Sequence, residues 1–158
     1  MRADPPPLAF RLPAGWTPVP VPPGREQDID FAAVHSRGHE SFTPNITVSL
    51  RLGEPGSLTQ MADSSLALLA DNERDVVLCR RDVLGTVSLP GLAQHLQFHT
   101  LTAGGWVRLA QHQVMLTLPN SRDPYLRFVC IATLTATTRS ASAVAPDFRD
   151  TLASLRIE

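Results

Sequence analysis

The chain has 158 residues, 43% of them hydrophobic, which suits one domain spanning 1–158 with a core of its own and excludes a disordered or fibrous chain. Fourteen basic residues against fifteen acidic ones leave a formal net charge of -1, so no general attraction to nucleic acid or anionic lipid is expected. Every basic residue is an arginine, which with abundant proline and alanine reads as the codon usage of a GC-rich bacterial genome. An arginine pair therefore says little about recognition.

The first residues, Met1-Arg-Ala-Asp-Pro-Pro-Pro7, hold no apolar run of the length a signal peptide or membrane span needs, and the expected location is the cytoplasm. Phe10-Arg-Leu12 reads as a short strand stopped by Pro13, and the proline-rich stretch from Pro13 to Gly24 as an irregular connection. A second strand is expected from Ile29 to His35. Asn45 to Leu52 alternates cleanly, with Ile46, Val48, Leu50 and Leu52 on one side, and predicts a third strand with one buried face. Ser57, with Gln60 three residues on, predicts a capped helix from Ser57 to Asp71 that buries Leu58, Met61, Ala62, Ser65 and Leu69.

Four more strands follow: Asp75 to Leu84, Leu92 to Thr102, Trp106 to Leu118, and Tyr125 to Thr137. Gly104-Gly105 and the segment from Pro119 to Pro124 turn the chain between the last three, giving an antiparallel meander. Pro146 to Ile157 reads as a second helix with Phe148, Leu152 and Leu155 on one face and Pro146 in its first turn. The order of strands, helix, meander and helix predicts an α+β fold: a twisted antiparallel sheet of six or seven strands with helices packed on its faces. Cys79 and Cys130 lie in separate apolar strands without a Cys-x-x-Cys or zinc-type spacing, and both are expected to be reduced and buried.

Two stretches of the meander concentrate polar side chains, Ala93-Gln-His-Leu-Gln-Phe-His99 and Ala110-Gln-His-Gln-Val-Met115. Alternation puts His95, Gln97 and His99 on one strand face. A two-residue Gly104-Gly105 turn would set His112 opposite Gln97. A shift of one residue instead sets Gln97 opposite Gln113 and His99 opposite Gln111. The second register separates polar from apolar groups better, so it is the expected one, with His112 pointing away from His95 and His99. The candidate interaction face is then His95, Gln97, His99, Gln111 and Gln113. His95 and His99 stand about 13 Å apart by strand rise, too far to share one metal ion, and no metal or other cofactor is expected.

Other constellations carry less. Glu26, Asp28 and Asp30 alternate at a strand start but lack an opposed carboxylate. His35 and His39 mark a strand end and loop, Arg80-Arg81 is only a pair, and Asn45-Ile-Thr47 falls within a strand. No nucleophile elbow, phosphate-binding loop, dinucleotide fingerprint or His-Glu-x-x-His motif occurs.

The opening motif Phe10-x-Leu-Pro-x-Gly-Trp16, the element order and the closing Leu152-Ala-Ser-Leu-Arg-Ile157 together resemble the Mog/PsbP-like superfamily. Within it the chain is most similar to actinobacterial LpqN-like domains and to DcrB and Eag-type proteins, although it lacks the signal peptide and lipidated cysteine of the LpqN lipoproteins. The resemblance implies a non-enzymatic accessory or interaction domain, chaperone-like in some relatives, and brings no catalytic residues to carry over. Function is accordingly expected to be the binding of a protein segment, with no nucleic-acid partner and a homodimer left open. A small enzyme with a histidine-dependent site and an apolar small-ligand carrier stand as alternatives.

Overall fold

The computed structural model describes residues 8–21, 23–25, 28–36, 42–52, 58–119 and 127–157. Strands β1 (Leu8–Ala9) and β9 (Arg156–Ile157) pair with each other. The remaining strands are β2 (Trp16–Val19), β3 (Phe31–His35), β4 (Asn45–Leu52), β5 (Arg74–Gly85), β6 (Pro90–Thr102), β7 (Gly105–Leu118) and β8 (Phe128–Thr137). They form one seven-stranded antiparallel sheet in the order β2-β3-β4-β8-β7-β6-β5. Helix α1 (Leu58–Asn72) carries the chain from central β4 to edge strand β5, and the meander returns through β6 and β7 to set β8 beside β4. Helix α2 (Ala141–Ala153) follows β8.

The helices lie on opposite faces. On one, Leu58 and Ala62 of α1 pack on Leu92, Met115 and Val129, with Met61 and Ile131 beside them. Leu58, Met61, Ala62, Ser65 and Leu69 are the turned-in positions of α1, as the helical spacing requires. On the other face, Val144 and Phe148 of α2 join Ile46, Val48 and Leu50 of β4 and the even-numbered residues of β8. Burying each of these large apolar side chains contributes about 1.5–3 kcal/mol. Alternation in β4 delivers Ile46 and Val48 to the α2 side, and the direct pairing of Ile46 with Leu134 extends that apolar row into β8.

The opening motif and the closing helix meet. Pro13 to Trp16 forms a tight turn in which the Trp16 N–H donates to the Pro13 carbonyl and Gly15 holds a φ of 94°, a conformation that favours glycine. The turn aims Trp16 inward, where its ring N–H donates to Asp147 of α2 at 2.9 Å and its ring meets His35 edge-on. The Arg11 N–H donates to the Ser154 hydroxyl at 2.8 Å, just past the helix end.

Several boundaries differ from expectation. Trp16–Val19 is a strand inside the stretch expected to be irregular; β2 is a sheet edge pairing only with β3, so Pro18 interrupts no central ladder. The first strand is Leu8–Ala9, and residues 10–12 follow it without strand pairing. Helix α2 begins at Ala141, five residues before Pro146, and ends before β9. Ser140 stands at its N-cap, but its hydroxyl makes no cap bond and lies instead 2.8 Å from the Thr137 hydroxyl. Cys130 is buried but Cys79 is exposed, because β5 lies at the edge of the sheet. Burial pushes the Cys130 thiol up to about 12. Glu26, His39, Ser57 and Tyr125 lie outside the described residues.

Candidate functional site

The β6–β7 hairpin decides which polar groups meet. Thr102 pairs with Gly105 across a two-residue Ala103-Gly104 turn, and Gly105 takes a φ of 110° as the first residue of β7. His95 therefore faces His112, Gln94 faces Gln113, and Leu96 faces Gln111. This corrects the expected interaction face. His95, Gln97 and His99 do share a face, but His112 joins them, while Gln111 and Gln113 point to the opposite side. Sorting polar from apolar residues misled because it treated buried amides as costly, and here they satisfy one another.

That satisfied set lies under α1. The Gln94 side-chain amide donates to the Gln113 carbonyl oxygen at 2.7 Å and to the backbone of Ala62 at 3.2 Å. Gln113 donates to Gln111 at 2.6 Å, and Gln111 to the Thr135 hydroxyl at 3.1 Å. Arg81 closes the relay, donating to Gln94 from two nitrogens and to Asp63 of α1 at 2.8 Å. Gln94 and Gln113 are only 3% and 4% exposed, so these bonds replace those the amides would make to water.

The α2 side is different. The His95 and His112 rings stack nearly parallel, with centroids 4.3 Å apart and an interplanar angle of 10°. The Nε2 atom of His95 is buried without a hydrogen-bond partner among the described residues. Burial holds both imidazoles below their usual value, and His112 is lowered further by its neighbours His95 and Arg149. The stack lines two adjoining grooves, each of about 380 Å³, between α2 and strands β5 to β7. One has an apolar wall of Ala93, Val114, Phe148 and Leu152, with Arg80, Asp82 and Arg149 around it. The other continues past Gln97 and Ala110 beneath Ala141 and Ala145.

Beyond the grooves the same face continues in register. Val77 stands beside Gln97, Arg74 beside His99 beside Arg108, and Leu101 beside Trp106. From His95 to Leu101 this strip runs about 20 Å at the usual strand rise. Val77, Leu101 and Trp106 are 52%, 65% and 48% exposed, which marks this part of the sheet as uncovered. The Arg74 guanidinium lies 4.6 Å from the centroid of the Trp106 ring, and Arg108 donates to Gln97. The Asp75 carboxylate lies 3.2 Å from His99 Nδ1, and Asp75 itself has a φ of 55°, which an aspartate tolerates better than most residues. Arg80 pairs with Asp82 at 2.7 Å, whereas Arg74, Arg108 and Arg149 have no carboxylate partner among the described residues. Sequence reasoning missed Arg74, Trp106, Arg108 and Arg149 as part of one surface. Even-number alternation in β7 linked three of the relevant positions, Trp106, Arg108 and His112, but only the pairing register joins them to His95.

Among the described residues no group of three His, Cys, Asp or Glu side chains is placed to hold a metal ion, and no helix is long and apolar enough to cross a membrane. Asp28 and Asp30 serve the fold: Asp30 accepts the Leu50 N–H at 2.7 Å, and the Asp28 carbonyl accepts the Ser49 hydroxyl.

No family model matches the sequence, and no curated protein matches it. Solved structures do. LpqN of Mycobacterium tuberculosis, involved in cell envelope biogenesis, aligns with a TM-score of 0.67 at 14% identity over 98% of this chain and 86% of that one. PsbP from the cyanobacterium Synechocystis sp. PCC 6803 aligns at 0.59 and 14% identity over 96% and 86% of the two chains. The Ran-binding protein Mog1p of Saccharomyces cerevisiae aligns at 0.52 and 10% identity over 95% and 89%. With its seven-stranded antiparallel sheet and a helix on each face, the chain has the Mog/PsbP-like fold.

Proposed function

We propose that this protein is a non-enzymatic accessory domain that captures an acidic segment of a partner protein on the uncovered half of its α2 face. The observation that carries this reading is the strip from the His95–His112 stack to Leu101 and Trp106. It presents exposed apolar anchors among three guanidiniums, those of Arg74, Arg108 and Arg149, that lack carboxylate partners among the described residues. Tryptophan and arginine on one surface are the side chains that contribute most when a partner buries them, and the unpaired cations favour carboxylates in the incoming chain. A fold shared with a Ran-binding protein and with a protein involved in cell envelope biogenesis supports an accessory role rather than a particular partner.

Selection from a displayed peptide library tests the reading. Acidic sequences with an apolar anchor should enrich on the native protein, and Trp106→Ala or Arg108→Glu should weaken their binding tenfold or more, about 1.4 kcal/mol. Enrichment of basic sequences, or binding indifferent to both substitutions, contradicts it. A second reading is favoured by one feature: β5 is an edge strand of 12 residues with Leu78, Val83 and Leu84 exposed, which suits pairing with a second copy. Two register shifts in β5 work against a long continuous ladder. Light scattering that finds a dimer broken by Val83→Arg would support this second reading.

A further inference from the structure

We infer that the His95–His112 stack and Arg149 form a carboxylate-binding site, the anchor for one acidic side chain of the segment proposed above. The inference rests on that reading for the source of the carboxylate, but the site has its own geometry. Three groups able to carry positive charge converge at one place where the two grooves join. Arg149 approaches from α2, His95 from β6 and His112 from β7. The charged groups facing them from β5 are Arg80 and Asp82, and these pair with each other at 2.7 Å, which leaves Asp82 committed. The nearest residue of β8, Leu134, is apolar. Farther along β6, the Asp75 carboxylate lies 3.2 Å from the Nδ1 of His99.

Burial opposes a proton on His95, and burial, then His95 and Arg149, oppose one on His112. A carboxylate entering between the stack and Arg149 reverses that balance. It accepts from Arg149 and makes a proton on the stacked pair favourable. The apolar wall of Ala93, Val114, Phe148 and Leu152 suits the carbon chain behind the carboxylate. Binding then takes up a proton, and the proton belongs to the pair rather than to one ring. Affinity should therefore rise as pH falls through the histidine range, by at most about tenfold per pH unit for one linked proton.

The test uses octanoate and its uncharged analogue octanamide as probes, with histidine ring resonances followed by NMR between about pH 7.5 and about pH 5.5. Octanoate should raise the titration midpoints of His95 and His112, bind several-fold more tightly at the lower pH, and lose that preference in Arg149→Gln, a substitution at an exposed position. Octanamide should leave the midpoints where they are. If octanamide shifts them as far as octanoate, or octanoate moves only His99, the carboxylate site is wrong. Peptide capture that depends on Trp106 while octanoate leaves the stack unmoved overturns this site and keeps the docking face. Octanoate bound at the stack with no acidic peptide captured supports the site and overturns the docking reading.

Discussion

The two faces of the β6–β7 hairpin carry similar side chains to opposite ends. Under α1, Gln94 and Gln113 are buried and Gln111 half-buried, and all three are bonded in a relay that ends on Thr135, Arg81 and the α1 backbone. Beside α2, His95 and His112 are half-buried, the Nε2 of His95 has no partner among the described residues, and of the guanidiniums lining the grooves Arg80 is paired with Asp82 while Arg149 has no carboxylate partner among the described residues. A polar group whose bonds are all made within the chain specifies the fold, and one whose bonds are left to be made is available to a ligand. The contrast assigns structure to the α1 face and binding to the α2 face.

The largest break of the comparison is on the α1 face. Leu96→Ala removes a side chain with no exposure from the strand that separates the two faces, and should cost about 2–5 kcal/mol in denaturant unfolding. The relay comes next: Gln113→Ala leaves the Gln94 amide and the Gln111 oxygen without their shared partner, an expected loss of about 1–3 kcal/mol by the same measurement. Trp106→Ala, at an exposed position on the other face, should change stability by no more than about 0.5 kcal/mol while abolishing most peptide binding.

The histidine stack sharpens the comparison through pH. Because burial lowers both imidazoles from the ordinary value of 6.5, the native state binds fewer protons than the unfolded chain just below that pH. The stability this gives is fully present above about pH 6.5 and is lost as pH falls through the lowered native values. Thermal melts from neutral to mildly acidic pH should show the midpoint falling over this window in the native protein and falling less in the double variant His95→Asn, His112→Asn. The equivalent pair of substitutions at Gln111 and Gln113 should lower the whole curve without changing its slope there.

Much of this fold was legible because periodicity is local. The alternation in Asn45–Leu52 and the stripe Leu58, Met61, Ala62, Ser65, Leu69 depend only on which residues neighbour each other along one element, and both appear, except that Leu52 at the strand end is 56% exposed. The start of α2 was misread because Pro146 suits a first turn, whereas the helix begins five residues earlier behind Ser140, and Val144 extends the buried face of Phe148. The site depends on register, which one residue of a turn decides. Shifting the pairing by one residue to sort polar from apolar groups moved His112 away from His95, whereas the chain turns on the two residues Ala103-Gly104 and takes Gly105 into the strand. His95, Gln97 and His99 could be placed together from one strand alone; Arg74, Trp106, Arg108 and Arg149 come from three other elements and needed the tertiary structure.

Chemical-shift mapping with an enriched acidic peptide tests the central claim most directly. The account predicts perturbed resonances at Val77, Gln97, His99, Trp106 and Arg108, with Ala62, Gln94 and Gln113 undisturbed. Perturbation centred instead on α1, Arg81 and the glutamine relay would contradict it, and would make the α1 face the one that binds.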